Sequence, residues 1–297
     1  MDIKEFAETL KEKVAEQLGK EVRVHQVTKN NGVVLQGLMI IETDSNVSPT
    51  IYLESLWEAY QCGASMGEII QRICQMYRQD RVASIDMSWF KDFEQVKDRL
   101  AYKLINLEYN RELLEEIPYK RVLDLAKVYY VSVVTEAIGE GTILIRNNHM
   151  DMWGVTPEQL DSIAEENTPK LFPAQICSMF DIIDELSGDS MDKEKCKKNI
   201  PDIGRMYVVS NPSRVFGAAV MCYKDVFHEI AMKYRSSLYI LPSSVHELII
   251  IVPRLLEKVS ELRAMVYEVN RTTLEKQDRL SDSVYYYDCL KHTITTI

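Results

Sequence analysis

The triplet Asn30-Asn31-Gly32 stands between two runs of β-forming residues, one beginning at Val22 and the other extending over residues 33–41. Asn and Gly tolerate the positive φ angles of tight turns, so Asn-Gly between such runs is a strong hairpin signal. A second pair of β-rich runs flanks Gly139-Glu140-Gly141. The chain is therefore expected to build antiparallel sheet.

Helical segments are interspersed with these strands. Residues 2–18 repeat apolar positions at helical spacing, and Gly19 suits a helix end. Thr156 is a good N-cap before Pro157, and a helix is expected from there to about Glu166, ending before Pro169. Strands and helices alternate irregularly, which favours an α+β fold with largely antiparallel sheets and flanking helices over a doubly wound parallel fold.

The domain organisation is expected to comprise two sub-domains, because 297 residues suit about two domains. Residues 1–85 would hold an N-terminal helix, a β-hairpin and a helical pair, and residues 86–297 a larger α+β domain. The polar stretch 187–204, rich in Gly, Ser and charge, is a candidate exposed loop.

Composition bounds the class of protein. The net charge of −10 argues against a nucleic-acid partner, because such proteins normally present a basic face. The amino-terminal stretch is charged and lacks an export signal, and no apolar run is long enough to span a membrane. The six cysteines form no CxxC pair and are expected to be reduced thiols in a cytoplasmic protein. No cofactor fingerprint or metal-ligand array is recognisable.

The stretch "YILPSSVHELIIIVP" is the first candidate catalytic site, with Ser243, Ser244, His246 and Glu247 wedged between apolar runs. If Ser244 begins a helical turn, Glu247 completes a capping box; if the chain is extended, His246 and Glu247 point to opposite faces. A Ser–His dyad would require one serine to curl back toward the imidazole. A structural turn is the favoured interpretation, and a chemical role stays open.

Two further places are candidate binding sites. His149 and Asp151 would share one face of a strand, where a carboxylate could orient the imidazole. Arg214 follows the predicted turn Asn211-Pro212-Ser213 and could hold an anion. Gly217, expected within a strand over residues 215–223, indicates a bulge or a close backbone approach. In each case a structural role is the favoured alternative.

Several phrases taken together resemble a known family: "WGVTPEQLDSIAEEN", "MYVVSNPSRVFGAAVMCY", "YILPSSVHELIII", "EVN" and "LSDSVYYYD". They resemble an uncharacterised family of Firmicutes proteins, common in gut clostridia and known only as a domain of unknown function. A weaker similarity runs to the YtpQ-like family. The resemblance implies a bacterial, cytoplasmic protein and transfers no activity to any residue.

The sequence alone favours a binding or regulatory module over an enzyme, because no complete catalytic constellation is present. Its partner would be a protein, a peptide or a small anionic ligand. The alternative is a hydrolase-like enzyme that uses the segment 243–247. A third hypothesis, an oligomeric structural protein, rests on the aromatic residues near the carboxyl terminus.

Overall fold

The computed structural model describes residues 1–43, 45, 48–79, 86–135, 139–182, 206–242, 244–253 and 258–297. The chain divides into two compact units. The N-terminal unit comprises residues 1–91 and 133–141, and the larger unit comprises residues 92–132 and 142–297. The predicted loop 187–204 lies outside the described residues, and the division predicted at residue 85 stays a prediction.

The N-terminal unit contains, in chain order, α1 (Ile3–Leu18), β1 (Val22–Thr28), β2 (Val34–Ile40), β3 (Thr50–Tyr52), α2 (Glu54–Gln61) and α3 (Met66–Gln79). The three strands form an antiparallel sheet in the order β1-β2-β3. The predicted hairpin is confirmed, and Asn31 and Gly32 take φ angles of 59° and 64° in its turn.

Helix α1 is confirmed with both of its ends. Asp2 accepts hydrogen bonds from the N–H groups of Lys4 and Glu5, and Glu5 accepts one from the Asp2 N–H, which completes a capping box. Gly19 ends the helix in the left-handed conformation. The buried stripe of α1 belongs to the hydrophobic core of this unit, which also includes Leu38 and Ile73.

The larger unit begins with α4 (Phe93–Val96), β4 (Leu100–Asn106), α5 (Arg111–Glu116), β5 (Tyr119–Val122), β6 (Leu125–Thr135), β7 (Gly139–Leu144), α6 (Asn147–Trp153) and α7 (Pro157–Leu171). The tip of the β6–β7 hairpin is grouped with the N-terminal unit. The chain continues with β8 (Gln175–Ser178), β9 (Met206–Ser210), α8 (Val226–Tyr234), β10 (Leu238–Leu241), β11 (Leu248–Ile251), α9 (Val259–Thr272), β12 (Tyr285–Asp288) and β13 (Thr293–Thr296).

Two further sheets complete the topology. One has the order β13-β12-β10-β11-β9-β8, and the other has β4-β6-β5 with β7 also paired to β6. Every strand pair whose register is described is antiparallel. The predicted α+β class with antiparallel sheets is confirmed. None of the helices in the described ranges is long and apolar enough to cross a membrane.

Two of the local predictions that were wrong concern helices. Residues 217–222 form a 3-10 helix rather than a strand, because an unbroken apolar run has no periodicity that separates the two. Helix α7 continues past Pro169 to Leu171. A hydrogen bond from the Tyr102 N–H to Thr168 Oγ1 and one from the Tyr223 hydroxyl to the Phe172 carbonyl stabilise its last turn.

Candidate functional site

The segment after Pro242 forms a bend between β10 and β11 rather than a helical turn or a strand. Ser244 Oγ accepts a hydrogen bond from the His246 N–H at 3.0 Å, and the Ser244 N–H donates to the Glu247 carbonyl at 3.3 Å. The serine hydroxyl is therefore engaged with the backbone of the bend. Ser243 lies outside the described residues.

Both ring nitrogens of His246 have neighbours. Nδ1 accepts a hydrogen bond from the Phe216 N–H at 3.3 Å, and Nε2 lies 3.5 Å from Asp278 Oδ1. These contacts favour the tautomer that carries its proton on Nε2. The ring also stacks on that of Phe216, with 6.0 Å between centroids and 12° between planes. The imidazole thus ties the bend to the segment that precedes residue 217.

That segment contains the turn in which Arg214 was predicted. The Asn211 side chain accepts from the Ser213 hydroxyl and the Val215 N–H and donates to the Val215 carbonyl. Arg214 is exposed, with φ at 53°, and Phe216 is also left-handed, with φ at 55°. Two non-glycine residues with left-handed backbone angles indicate a tightly constrained loop. The structure therefore brings the Arg214 turn beside His246 and Ser244.

His149 and Asp151 lie on helix α6. The prediction that they share one face of a strand is therefore wrong. Residues two apart on a helix point in nearly opposite directions. His149 Nδ1 accepts a hydrogen bond from the Arg146 N–H at 3.2 Å, and its ring packs 5.8 Å from that of Trp153. Burial and the charge of Arg146 lower the pKa of His149, so the neutral imidazole can cap the start of α6.

A different part of the larger unit contains a cavity. Helix α8 and the β12–β13 hairpin border a space of about 380 Å³, within the size range of small-molecule sites. Its apolar walls include Met221, Phe227 and Ile294. Its polar lining includes Lys224, Asp225, His228, Tyr287 and His292.

Two imidazoles meet in this cavity. The rings of His228 and His292 have centroids 4.4 Å apart and planes tilted by 35°. His292 Nδ1 lies 3.4 Å from the Tyr287 hydroxyl. His228 Nδ1 is buried without a hydrogen-bond partner among the described residues. Because an unsatisfied buried polar atom costs on the order of 1–3 kcal/mol, this nitrogen is a feature to be explained.

The first turn of α8 lacks a side-chain cap. Asp225 occupies the N-cap position, but its φ of 65° is not the extended conformation of a capping residue, and its side chain makes no capping hydrogen bond. The Val226 N–H donates to the Lys224 carbonyl and the Glu229 N–H to the Asp225 carbonyl. Among the described residues, the N–H groups of Phe227 and His228 have no acceptor. Two backbone donors thus remain at a helix start beside the cavity.

Tyr287 adds a neutral donor. Burial raises the pKa of its hydroxyl, and the negative charge of Asp225 raises the pKa further. The phenol is therefore protonated at neutral pH and can donate a hydrogen bond within the cavity. Asp225 and Tyr287 both line the cavity. Metal binding has less support, because no group of three or more His, Cys, Asp or Glu in the described ranges is arranged for it.

Sequence reasoning missed the histidine pair. His228 and His292 showed no partner at a recognisable spacing, because their contact depends on the β12–β13 hairpin lying beside α8. Neither residue has a local motif around it. Only the three-dimensional arrangement of the two elements discloses the pair.

Fold and cavity together define an α+β protein with antiparallel sheets and a small-molecule-sized cavity beside one helix start. The sequence matches a family of unknown function (DUF5688) over residues 3–289, and the chain belongs to that family. Neither the search of curated proteins nor that of solved structures found a match.

Proposed function

We propose that this protein is a binding module for a small anionic ligand and that the cavity beside α8 is its site. The observation that carries the proposal is the meeting of His228 and His292 in a cavity of about 380 Å³ at an uncapped helix start. A cavity of this size encloses a small molecule better than a peptide or a protein surface.

The chemistry of the lining favours an anionic group on that ligand. The N–H groups of Phe227 and His228 point along the helix axis toward its start, where the helix dipole also favours negative charge. The ammonium group of Lys224 and the two imidazoles supply further donors. A carboxylate or phosphate would satisfy several of these groups together.

We also propose a cellular setting, which the resemblance of the sequence phrases supports. The protein would work in the cytoplasm of a bacterium of the Firmicutes, with a distant relationship to YtpQ-like proteins and no cofactor. The alternative, a hydrolase at segment 243–247, has weaker support. Ser244 Oγ already accepts from a backbone N–H, and both nitrogens of His246 have protein neighbours.

The proposal is tested by nuclear magnetic resonance with labelled histidine. Inorganic phosphate and 4-methylpentanoate are titrated into the full chain at pH 6.5, with signals assigned from His228→Gln and His292→Gln. Either anion should shift both imidazoles in a saturable manner, and Lys224→Met should weaken binding about tenfold, by loss of one charge-assisted contact.

Lys291→Met is the matched control, because Lys291 is an exposed lysine on the β12–β13 connection and does not line the cavity. It should leave the affinity unchanged. If neither anion shifts either imidazole up to millimolar concentration, the proposed site is wrong. Shifts confined to His246 would move the site to the bend between β10 and β11.

A further inference from the structure

The most unusual residue of the cavity is Asp225. An aspartate at an N-cap normally turns its carboxylate onto the N–H groups of the first turn. Here the left-handed backbone at φ 65° prevents this, and the exposed side chain of Asp225 makes no capping hydrogen bond. The same local conformation therefore leaves two backbone donors, the N–H groups of Phe227 and His228, and one acceptor, the Asp225 carboxylate, available to a ligand at the edge of the cavity.

A ligand with only negative charge would use only part of this arrangement. It would use the N–H groups of Phe227 and His228 but would bring its charge close to the carboxylate of Asp225. Like charges in such proximity repel. A ligand that carries an ammonium group next to its anionic group would pair with the backbone N–H groups and also with the carboxylate of Asp225.

We infer that the cavity binds a small zwitterion of the aliphatic α-amino acid class, with Asp225 as the partner of the ammonium group. This inference rests on the proposed function and names the chemical class of its ligand. The carboxylate of the ligand receives hydrogen bonds from the N–H groups of Phe227 and His228. Its ammonium group donates to Asp225, in a charge-assisted hydrogen bond.

The rest of the lining agrees with a small apolar side chain on that ligand. Met221, Phe227 and Ile294 form the apolar walls, and methionine adapts to ligands of varied shape. The volume of about 380 Å³ lies near the lower end of the range for small-molecule sites. A single amino acid suits that volume better than a nucleotide does.

The experiment compares three probes that differ by one group. They are L-leucine, 4-methylpentanoate, which lacks the amine, and 3-methylbutylamine, which lacks the carboxylate. Binding to the full chain is measured by calorimetry and by the His228 and His292 signals. Leucine should bind at least fivefold more tightly than 4-methylpentanoate, and the amine should bind most weakly, because only leucine engages both sets of groups.

The variant Asp225→Asn separates the inference from the proposed function. It should weaken leucine binding about tenfold and leave 4-methylpentanoate binding unchanged or improved, because it removes only the negative charge. Asparagine also tolerates the left-handed conformation, so the backbone at residue 225 is retained. Glu229→Gln makes the same change of charge on an exposed residue of α8 that does not line the cavity, and should alter neither affinity.

Each outcome bears on one of the two proposals. Equal binding of leucine and 4-methylpentanoate, unaffected by Asp225→Asn, would overturn the zwitterion and leave a site for anions. A complete lack of imidazole shifts with all three probes and with phosphate would overturn both. Should Asp225→Asn fail to fold, the ratio of the two affinities on the unmodified chain decides the inference by itself.

Discussion

Gly217 lies where the backbone leaves no room for a side chain. A Cβ atom built there would lie 2.0 Å from Ser210 Oγ and 2.3 Å from the His246 carbonyl oxygen. These two atoms are hydrogen-bonded to each other at 2.7 Å, so neither can retreat without breaking a contact. The 3-10 helix therefore fits against β9 and the β10–β11 bend only with a hydrogen atom at this position.

We expect Gly217→Ala to lower the free energy of unfolding by about 3 kcal/mol, the upper end of the cost of overpacking, because a backbone oxygen must move. Urea denaturation followed by circular dichroism measures the change. The matched control is Gly67→Ala, at a helical position where a Cβ would meet only Ser65 Oγ at 4.0 Å.

The free energy of unfolding of Gly67→Ala should rise by up to about 1 kcal/mol, because alanine loses less backbone entropy than glycine on forming a helix. If Gly217→Ala lowers the free energy of unfolding by less than about 1 kcal/mol, the close approach of Ser210 and His246 to residue 217 is contradicted.

What the sequence discloses about single residues depends on how local their roles are. The close approach at Gly217 was predictable, because a lone glycine in an apolar run has few other uses. The pairing of His228 with His292 was not, since it joins elements that are distant in sequence. The uncommitted carboxylate of Asp225 depends on a φ angle that the residue type does not specify.

At the scale of elements, strand β6 and helix α7 share a buried ionic network. Lys127, 2% exposed, forms an ion pair with Asp161 and another with Glu165, the latter at 2.6 Å. Asp161 also accepts hydrogen bonds from Lys120 at 2.6 Å and from the Tyr129 hydroxyl at 2.9 Å. Two cations therefore balance two anions between the sheet and the helix.

Replacing Lys127 with methionine should lower the free energy of unfolding by about 3 kcal/mol, because it removes one partner of a buried pair. Lys120→Met is the matched control, since Lys120 binds the same carboxylate but its side chain is 55% exposed. Its cost should stay below about 1 kcal/mol. Similar costs for the two variants in urea denaturation would show that burial does not separate the two lysines.

The same network predicts a pH dependence. Burial alone would raise the pKa of Asp161, but hydrogen bonds from Lys120, Lys127 and Tyr129 outweigh it and hold the pKa below its usual value. A lowered pKa in the folded state stabilises the fold above the unfolded pKa of about 3.9, and this contribution is lost as pH falls through the folded value.

Unfolding of the wild type and of Asp161→Asn, measured in urea from pH 3 to 7, checks this expectation. The difference between their free energies should be largest near pH 6 to 7 and should shrink below about pH 4. A difference that stays constant over the whole range would contradict the role given to the charge of Asp161.

Element boundaries were predictable where their determinants are local. The start of α7 follows from Thr156 and Pro157, which cap and initiate the helix by contacts within one turn. Its end depends on hydrogen bonds that Thr168 and Phe172 make with β4 and with Tyr223. Tertiary contacts can thus extend a helix past a proline that would be expected to stop it.

At the scale of the whole molecule, three clusters of buried apolar residues among the described residues each lie within one unit. One cluster of buried apolar residues lies entirely within the N-terminal unit and includes Leu10 and Cys74. Two others, which include Ile105 and Leu262, lie within the larger unit. A substitution in one of these clusters therefore removes apolar contacts within the unit that contains it.

Leu10→Ala should consequently expose Cys74 at lower urea concentration and leave Cys222 protected as in the wild type. Leu10 is fully buried, and its truncation should cost about 2–5 kcal/mol within its own core. Burial raises the pKa of the Cys74 thiol, and desolvation raises that of the partly buried Cys222 to about 11, so both react slowly in the folded state.

Pulsed alkylation across a urea gradient, read by peptide mass spectrometry, follows the two thiols in one sample, with the exposed Cys62 as the internal standard for reagent activity. The reciprocal variant Leu262→Ala removes contacts from a core of the larger unit and should lower the protection of Cys222 alone. Equal shifts of both cysteines in both variants would show that the two units unfold as one cooperative system despite their separate cores.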